Sequence, residues 1–203
     1  MSSENIDFTD KILIWCRDNS KYLFIGAILG ISLPLFWNYY QHLEKDKNLM
    51  ASDLYSELVN TINIDEEYID IEKEISEEYE NTIYEVLSNF VLSKQEFEKS
   101  NYNKAKKYLE DIVNTNINQT YNSLAKIKIS LINIQEKKYD DALINLDEVE
   151  LKDAFKHVLF ELKGDIYKFK GDREKSLNFY DKAINASAID NENLIMKKNS
   201  VKN

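Results

Sequence analysis

The chain has 203 residues, room for one ordinary domain and an appendage. Lys and Arg number 26 against 36 Asp and Glu, and the net charge of -10 argues against a surface built to neutralise phosphates, hence against nucleic acid as a partner. One cysteine, Cys16, and two histidines, His42 and His157, are too few for a disulfide framework or a zinc cluster, while one Pro and four Gly favour long helices over sheets and turns. The predicted class is all-α.

In chain order, a tail over 1–21 precedes Tyr22–Leu43, which is 22 residues without a formal charge. As a helix this stretch is about 33 Å long, enough for a hydrocarbon core of about 30 Å. Trp15 and Tyr22 on one side and Trp37, Tyr39 and Tyr40 on the other supply interfacial aromatics. A cleaved signal peptide needs small residues after its apolar core, and here that place holds Pro34-Leu-Phe-Trp37. An uncleaved anchor in the lipid bilayer is therefore predicted. Lys11, Arg17 and Lys21 before the span, against Lys45 and Lys47 after it, lean toward an N-terminus inside. Gly26 and Gly30, spaced as G-x-x-x-G, mark a candidate face for packing against another membrane helix.

A stalk helix and acidic linker are predicted over 44–81. Met50/Ala51, Leu54/Tyr55, Leu58 and Ile62 recur at helical spacing. Residues 65–85 then carry ten acids and one base, Lys73, which reads as a solvated loop leading into a helix start.

From 82 to 203 the chain repeats itself. Tyr102-Asn-Lys-Ala105, Tyr139-Asp-Asp-Ala142 and Arg173-Glu-Lys-Ser176 each open a helix with a small residue, at spacings of 37 and 34. Thirty-four is the tetratricopeptide period. Phe160, Gly164, Tyr167, Ser176, Tyr180 and Ala183 fit that repeat's pattern best, and the other two copies are degenerate. Ala188 stands where the repeat usually has Pro. Helices are predicted near 82–100, 102–115, 121–137, 139–149, 154–170, 172–187 and 191–200, the last bearing Leu194, Ile195 and Val201 to cover the final exposed face.

The span Ile25-Gly-Ala-Ile-Leu-Gly-Ile31, the aromatic run Phe36-Trp37-Asn-Tyr-Tyr40 and the segment from Leu162-Lys-Gly164-Asp to Lys170-Gly-Asp172 resemble the YfgM-type ancillary subunit family of the bacterial SecYEG translocon over nearly the whole chain. The resemblance implies an inner-membrane protein with its N-terminus cytoplasmic and its repeat domain in the periplasm. It implies partnership with the SecYEG translocon and with a membrane-anchored periplasmic chaperone of prolyl-isomerase-like type. It further implies a role in passing newly translocated proteins to chaperones and in restraining an envelope-stress response.

No catalytic motif accompanies these features: G-x-S-x-G, a phosphate-cradling glycine loop and H-E-x-x-H are all missing from the sequence, so neither an enzyme nor a cofactor is predicted. The binding surface expected is the inner face of the repeats' first helices. Repeat register puts Phe90, Lys94 and Phe97 there from the first unit, Ile127, Leu131 and Ile134 from the second, and Glu161, Asp165 and Lys168 from the third. Ile127 and Leu131 have a second reading, as core buried by the stalk. A scaffold subunit of another envelope assembly is the alternative function.

Overall fold

The computed structural model describes residues 8–62, 68–115, 117–150, 152–187 and 191–202. Among them every regular element is a helix: α1 (Phe8–Asp18), α2 (Ser20–Thr61), α3 (Tyr68–Glu78), α4 (Ile83–Glu98), α5 (Tyr102–Asn114), α6 (Gln119–Gln135), α7 (Tyr139–Asp147), α8 (Lys156–Phe169), α9 (Arg173–Ala186) and α10 (Glu192–Lys202). The chain divides into two compact units, residues 1–49 and 50–203.

In the first unit, α2 carries Leu23, Phe24, Ile25, Ile28, Leu29, Ile31, Leu33, Leu35 and Phe36 fully to the outside. No protein covers its apolar window. Pro34 lies inside the helix, where its missing N–H is tolerated in a membrane span.

The second unit is a run of antiparallel hairpins, α4–α5, α6–α7 and α8–α9, closed by α10. Each hairpin turns in the same way. Asn101 N–H bonds Glu96 O at 2.8 Å and Ser100 N–H bonds Phe97 O at 2.9 Å; Lys138 to Asn133 (2.8 Å) with Lys137 to Ile134 (3.0 Å), and Asp172 to Tyr167 (2.9 Å) with Gly171 to Lys168 (3.0 Å), repeat the pattern. This pair of bonds is the Schellman C-cap, whose penultimate residue must be left-handed. Ser100, Lys137 and Gly171 have φ of 62°, 62° and 76°. Their spacings are those of the small residues Ala105, Ala142 and Ser176, so the period lives in the turns even where residue identity has drifted.

The hairpin crossing shows why small residues recur. Ser176 Oγ donates to Gly164 O at 2.9 Å, and in the preceding hairpin Ser130 Oγ donates to Ala142 O at 2.9 Å. The hydroxyl sits on α9 in one case and α6 in the other, yet both ties join the two helices at closest approach. A Cβ on Gly164 would stand 2.8 Å from Cδ1 and Cε1 of Tyr180. That ring is fully buried, and its hydroxyl donates to Asp165 Oδ1 at 2.6 Å, so it cannot swing away.

One expectation is corrected. The stretch predicted as an acidic linker contains α3, whose Tyr68, Ile71 and Ile75 are buried. They pack with Leu58 and Ile62 at the end of α2, and with Leu92 and Tyr108. Three apolar residues at helical spacing suffice to bury one face, while the acids ride on the other. Asp65, Glu66 and Glu67 lie outside the described residues, as does Ala188. The seven helices predicted after residue 81 are all present within a few residues of their expected limits.

Two glycine variants separate two causes. Gly164→Ala overpacks the crossing, a cost of about 1–3 kcal/mol that exceeds the helix-propensity gain of about 1 kcal/mol. Gly171→Ala meets no atom within 4 Å and loses about 1 kcal/mol through its backbone alone. Urea unfolding of the full chain in detergent should therefore show Gly171→Asn close to wild type, because Asn tolerates the left-handed region, and Gly164→Asn worse than Gly164→Ala. At Lys137 the sign reverses: Lys137→Gly should raise the unfolding midpoint by relieving the same left-handed strain.

Candidate partner groove and membrane-helix face

Two surfaces are candidates, one in each unit. On the repeat domain, Phe90, Lys94 and Phe97 of α4 meet Leu131 of α6 around a groove of about 170 Å³, completed by Ser93, Lys128, Leu109 and Ile132. Its floor is apolar: Phe97 is 37% and Leu131 44% exposed. The aromatics are held from behind, Phe97 by Tyr102 with ring centroids 5.5 Å apart and Phe90 by Tyr121 at 6.3 Å. The rim is basic. Lys128 Nζ lies 5.9 Å from the Phe90 ring centroid, and Lys94 makes an exposed contact of 3.7 Å with Glu98. In a chain of net charge -10, the groove is thus a local pair of lysines over an apolar floor.

The nine predicted groove residues do not all belong to this surface. Ile127 is 4% exposed and joins the cluster of Ala142, Leu146, Val149, Leu159, Leu162 and Ile166. It is therefore core, buried by α7 and α8 and not by the stalk. Ile134 is half-buried against the same cluster. Leu131, four residues on from Ile127, stays open at 44% exposure because it is turned about 60° round α6 from Ile134, off the stripe that the following hairpin covers.

In the third unit the face is occupied by α10. Lys197 Nζ binds both Glu161 Oε1 and Asp165 Oδ2 at 2.7 Å, and Lys168 Nζ donates to Ser200 Oγ at 2.8 Å. Burial works against the charge on Lys197, and the hydrogen bonds it donates to Asp165 and Glu161 outweigh it, holding its pKa above the ordinary lysine value. Burial, reinforced by the bond to Asp165, pushes the Tyr180 hydroxyl up as well, so it stays a donor. Leu194 is fully buried against Tyr180 and Ala183, with Phe160, Ile184 and Val201 around it. Glu161, Asp165 and Lys168 thus fasten the closing helix. The inner-face positions Glu161 and Asp165 are taken up by Lys197 of α10.

Ser93, Lys128, Leu109 and Ile132 were not predicted. Lys128 has a signal in hindsight, since it lies three residues before Leu131 on α6. Leu109 and Ile132 reach the groove floor from the core side.

The acidic stretch lines a different, polar cleft of about 480 Å³, where Glu72, Glu80, Glu85 and Asp111 face Lys104 and Lys107. Glu72 accepts from the Tyr108 hydroxyl at 2.6 Å. Burial and then this carboxylate push the Tyr108 pKa up.

The second surface is on α2. Gly26 and Gly30 have no atom within 4 Å of where a Cβ would stand, so a neighbouring helix can approach the backbone there. The uncharged window around them is the one part of the described chain long and apolar enough to cross a membrane, and the chain is a single-pass membrane protein.

Comparison with known proteins finds relatives over most of the chain. The chain is similar to the ancillary SecYEG translocon subunits of Haemophilus influenzae, 25% identical over 190 residues and 92% of both chains, and of Neisseria gonorrhoeae, 25% identical over 199 residues and 95% of both. The Escherichia coli K12 protein of the same name is 22% identical over 179 residues, covering 88% of this chain and 86% of its own. No solved structure matches. Tetratricopeptide repeat-like domains match residues 14–203, nearly the whole length, and the chain belongs to that family.

Proposed function

We propose that this protein is a non-enzymatic ancillary subunit of the SecYEG translocon. In this reading Tyr22–Leu43 anchors it in the bacterial inner membrane with the N-terminus cytoplasmic, and residues 82–203 form the repeat domain on the periplasmic side. Gly26 and Gly30 pack against a translocon membrane helix, while the groove of Phe90, Lys94, Phe97 and Leu131 takes a segment of a partner. That partner is a membrane-anchored periplasmic chaperone of prolyl-isomerase-like type, to which newly translocated proteins are passed, and the same contact restrains an envelope-stress response. The observation that carries the proposal is the relatedness to translocon subunits over 92% of both chains, which takes in the span as well as the repeats. Confinement to the membrane raises the effective concentration of partners toward about millimolar, so a groove this small suffices without high intrinsic affinity.

The test is photo-crosslinking in native membranes from Gly26 and Gly30, and separately from Phe97 and Leu131. Crosslinks from the glycines to translocon helices are expected; capture of another envelope assembly from those positions instead would favour the scaffold alternative. Leu131→Asp should abolish the crosslinks made from Phe97. It should leave the unfolding free energy within about 0.5 kcal/mol of wild type, because the side chain is already 44% exposed.

A further inference from the structure

Helix α1 has no assigned role, and its surface is unusual for a soluble tail. At 100° per residue, Phe8, Ile12, Trp15 and Cys16 fall within an arc of about 100°, Asp10 and Arg17 fall on the opposite side with Leu13 and Ile14 to either side of them, and Asp18 lies on the flank next to Lys11. Ile12 is 45%, Leu13 67% and Trp15 58% exposed, and no residue of the described chain buries them. Lys11 borders the apolar arc on one side, with a stem long enough to lift its ammonium into the headgroups.

A second observation concerns where α1 ends. Asn19 N–H and its side-chain Nδ2 both bond Trp15 O at 2.9 Å, closing α1. The Asn19 carbonyl then accepts from Tyr22 N–H and Leu23 N–H at 3.0 Å each, opening α2. One residue thus caps one helix and starts the next, a joint placed one turn before the uncharged window.

We propose that α1 is an in-plane membrane helix, its face of Ile12, Trp15 and Cys16 seated at the boundary between headgroups and acyl chains of the leaflet that α2 enters. The occupant of this face is lipid, for two reasons on α1 itself. The span begins four residues after α1 ends, which keeps the helix at the bilayer surface. Its charges, Asp10, Lys11, Arg17 and Asp18, sum to zero, so apolar burial and not attraction to anionic lipid carries the attachment, and the seat is independent of leaflet charge. Trp15 fits that depth with its ring in the acyl boundary and its indole N–H among the headgroups.

The sole cysteine makes the test direct. The full chain, spin-labelled at Cys16 and reconstituted into phosphatidylcholine vesicles, should show collisions with oxygen favoured over collisions with a water-soluble nickel chelate. In a Cys16→Ser background, labels at positions 12 and 15 should behave likewise and labels at 10 and 17 should reverse the preference, giving a helical period. Adding phosphatidylglycerol or raising salt should leave the pattern unchanged. Uniform access to nickel along 10–18 would overturn the proposal by placing α1 in water. Low access to both reagents at 12, 15 and 16 would overturn it by showing a protein contact. A label at Gly26→Cys in the Cys16→Ser background reports the span independently: oxygen access there with nickel access along α1 defeats this inference alone, whereas nickel access at 26 defeats the reading of α2.

Discussion

Twenty-two consecutive residues without a formal charge leave α2 with an apolar surface that nothing in the described protein covers. Water is a costly solvent for such a surface: each fully exposed Leu, Ile or Phe forgoes about 1.5–3 kcal/mol of burial. The remedy must come from outside the chain, and a bilayer matches the length. The other functional features follow from that constraint. The interfacial aromatics, the open glycines and the joint at Asn19 make sense beside lipid and have no evident purpose in a soluble rod.

The repeat domain obeys a separate constraint, the close approach of the two helices in each hairpin. Side-chain identity at the crossing varies between Gly, Ala and Ser, and size does not. A hydroxyl is donated across the crossing from whichever helix carries the serine, which satisfies a polar group in a place too tight for water. Tyr180 against Gly164 is the extreme case, a large ring accepted because the opposing residue has no Cβ. With packing fixed this way, the surfaces of the first helices are free to diverge, and in the first two units they have opened an apolar groove with a basic rim.

Most of the helical layout was legible in the sequence because small residues and turns recur at 37 and 34 residues, a signal that survives loss of identity. Helix α3 was hidden by composition: ten acids between 65 and 85 outweighed Tyr68, Ile71 and Ile75, although these three alone bury the helix. On α4 the expected Phe90, Lys94 and Phe97 line one groove together. For Ile127 the core reading is the one the packing matches, because identical repeat positions are not identically covered. An inner-face position is open or closed according to what the next hairpin does, and repeat register contains no such information. The third unit failed for a related reason. Glu161 and Asp165 read as surface charges until Lys197, more than thirty residues away, is seen to bind both.

The joining of a lipid-facing helix to a stack of hairpins is tested most directly by alkaline carbonate extraction of cell membranes carrying the full chain. The account predicts that the protein remains in the membrane pellet, because only bilayer disruption re-exposes the uncharged window to water. Recovery of the intact chain in the carbonate supernatant would contradict it.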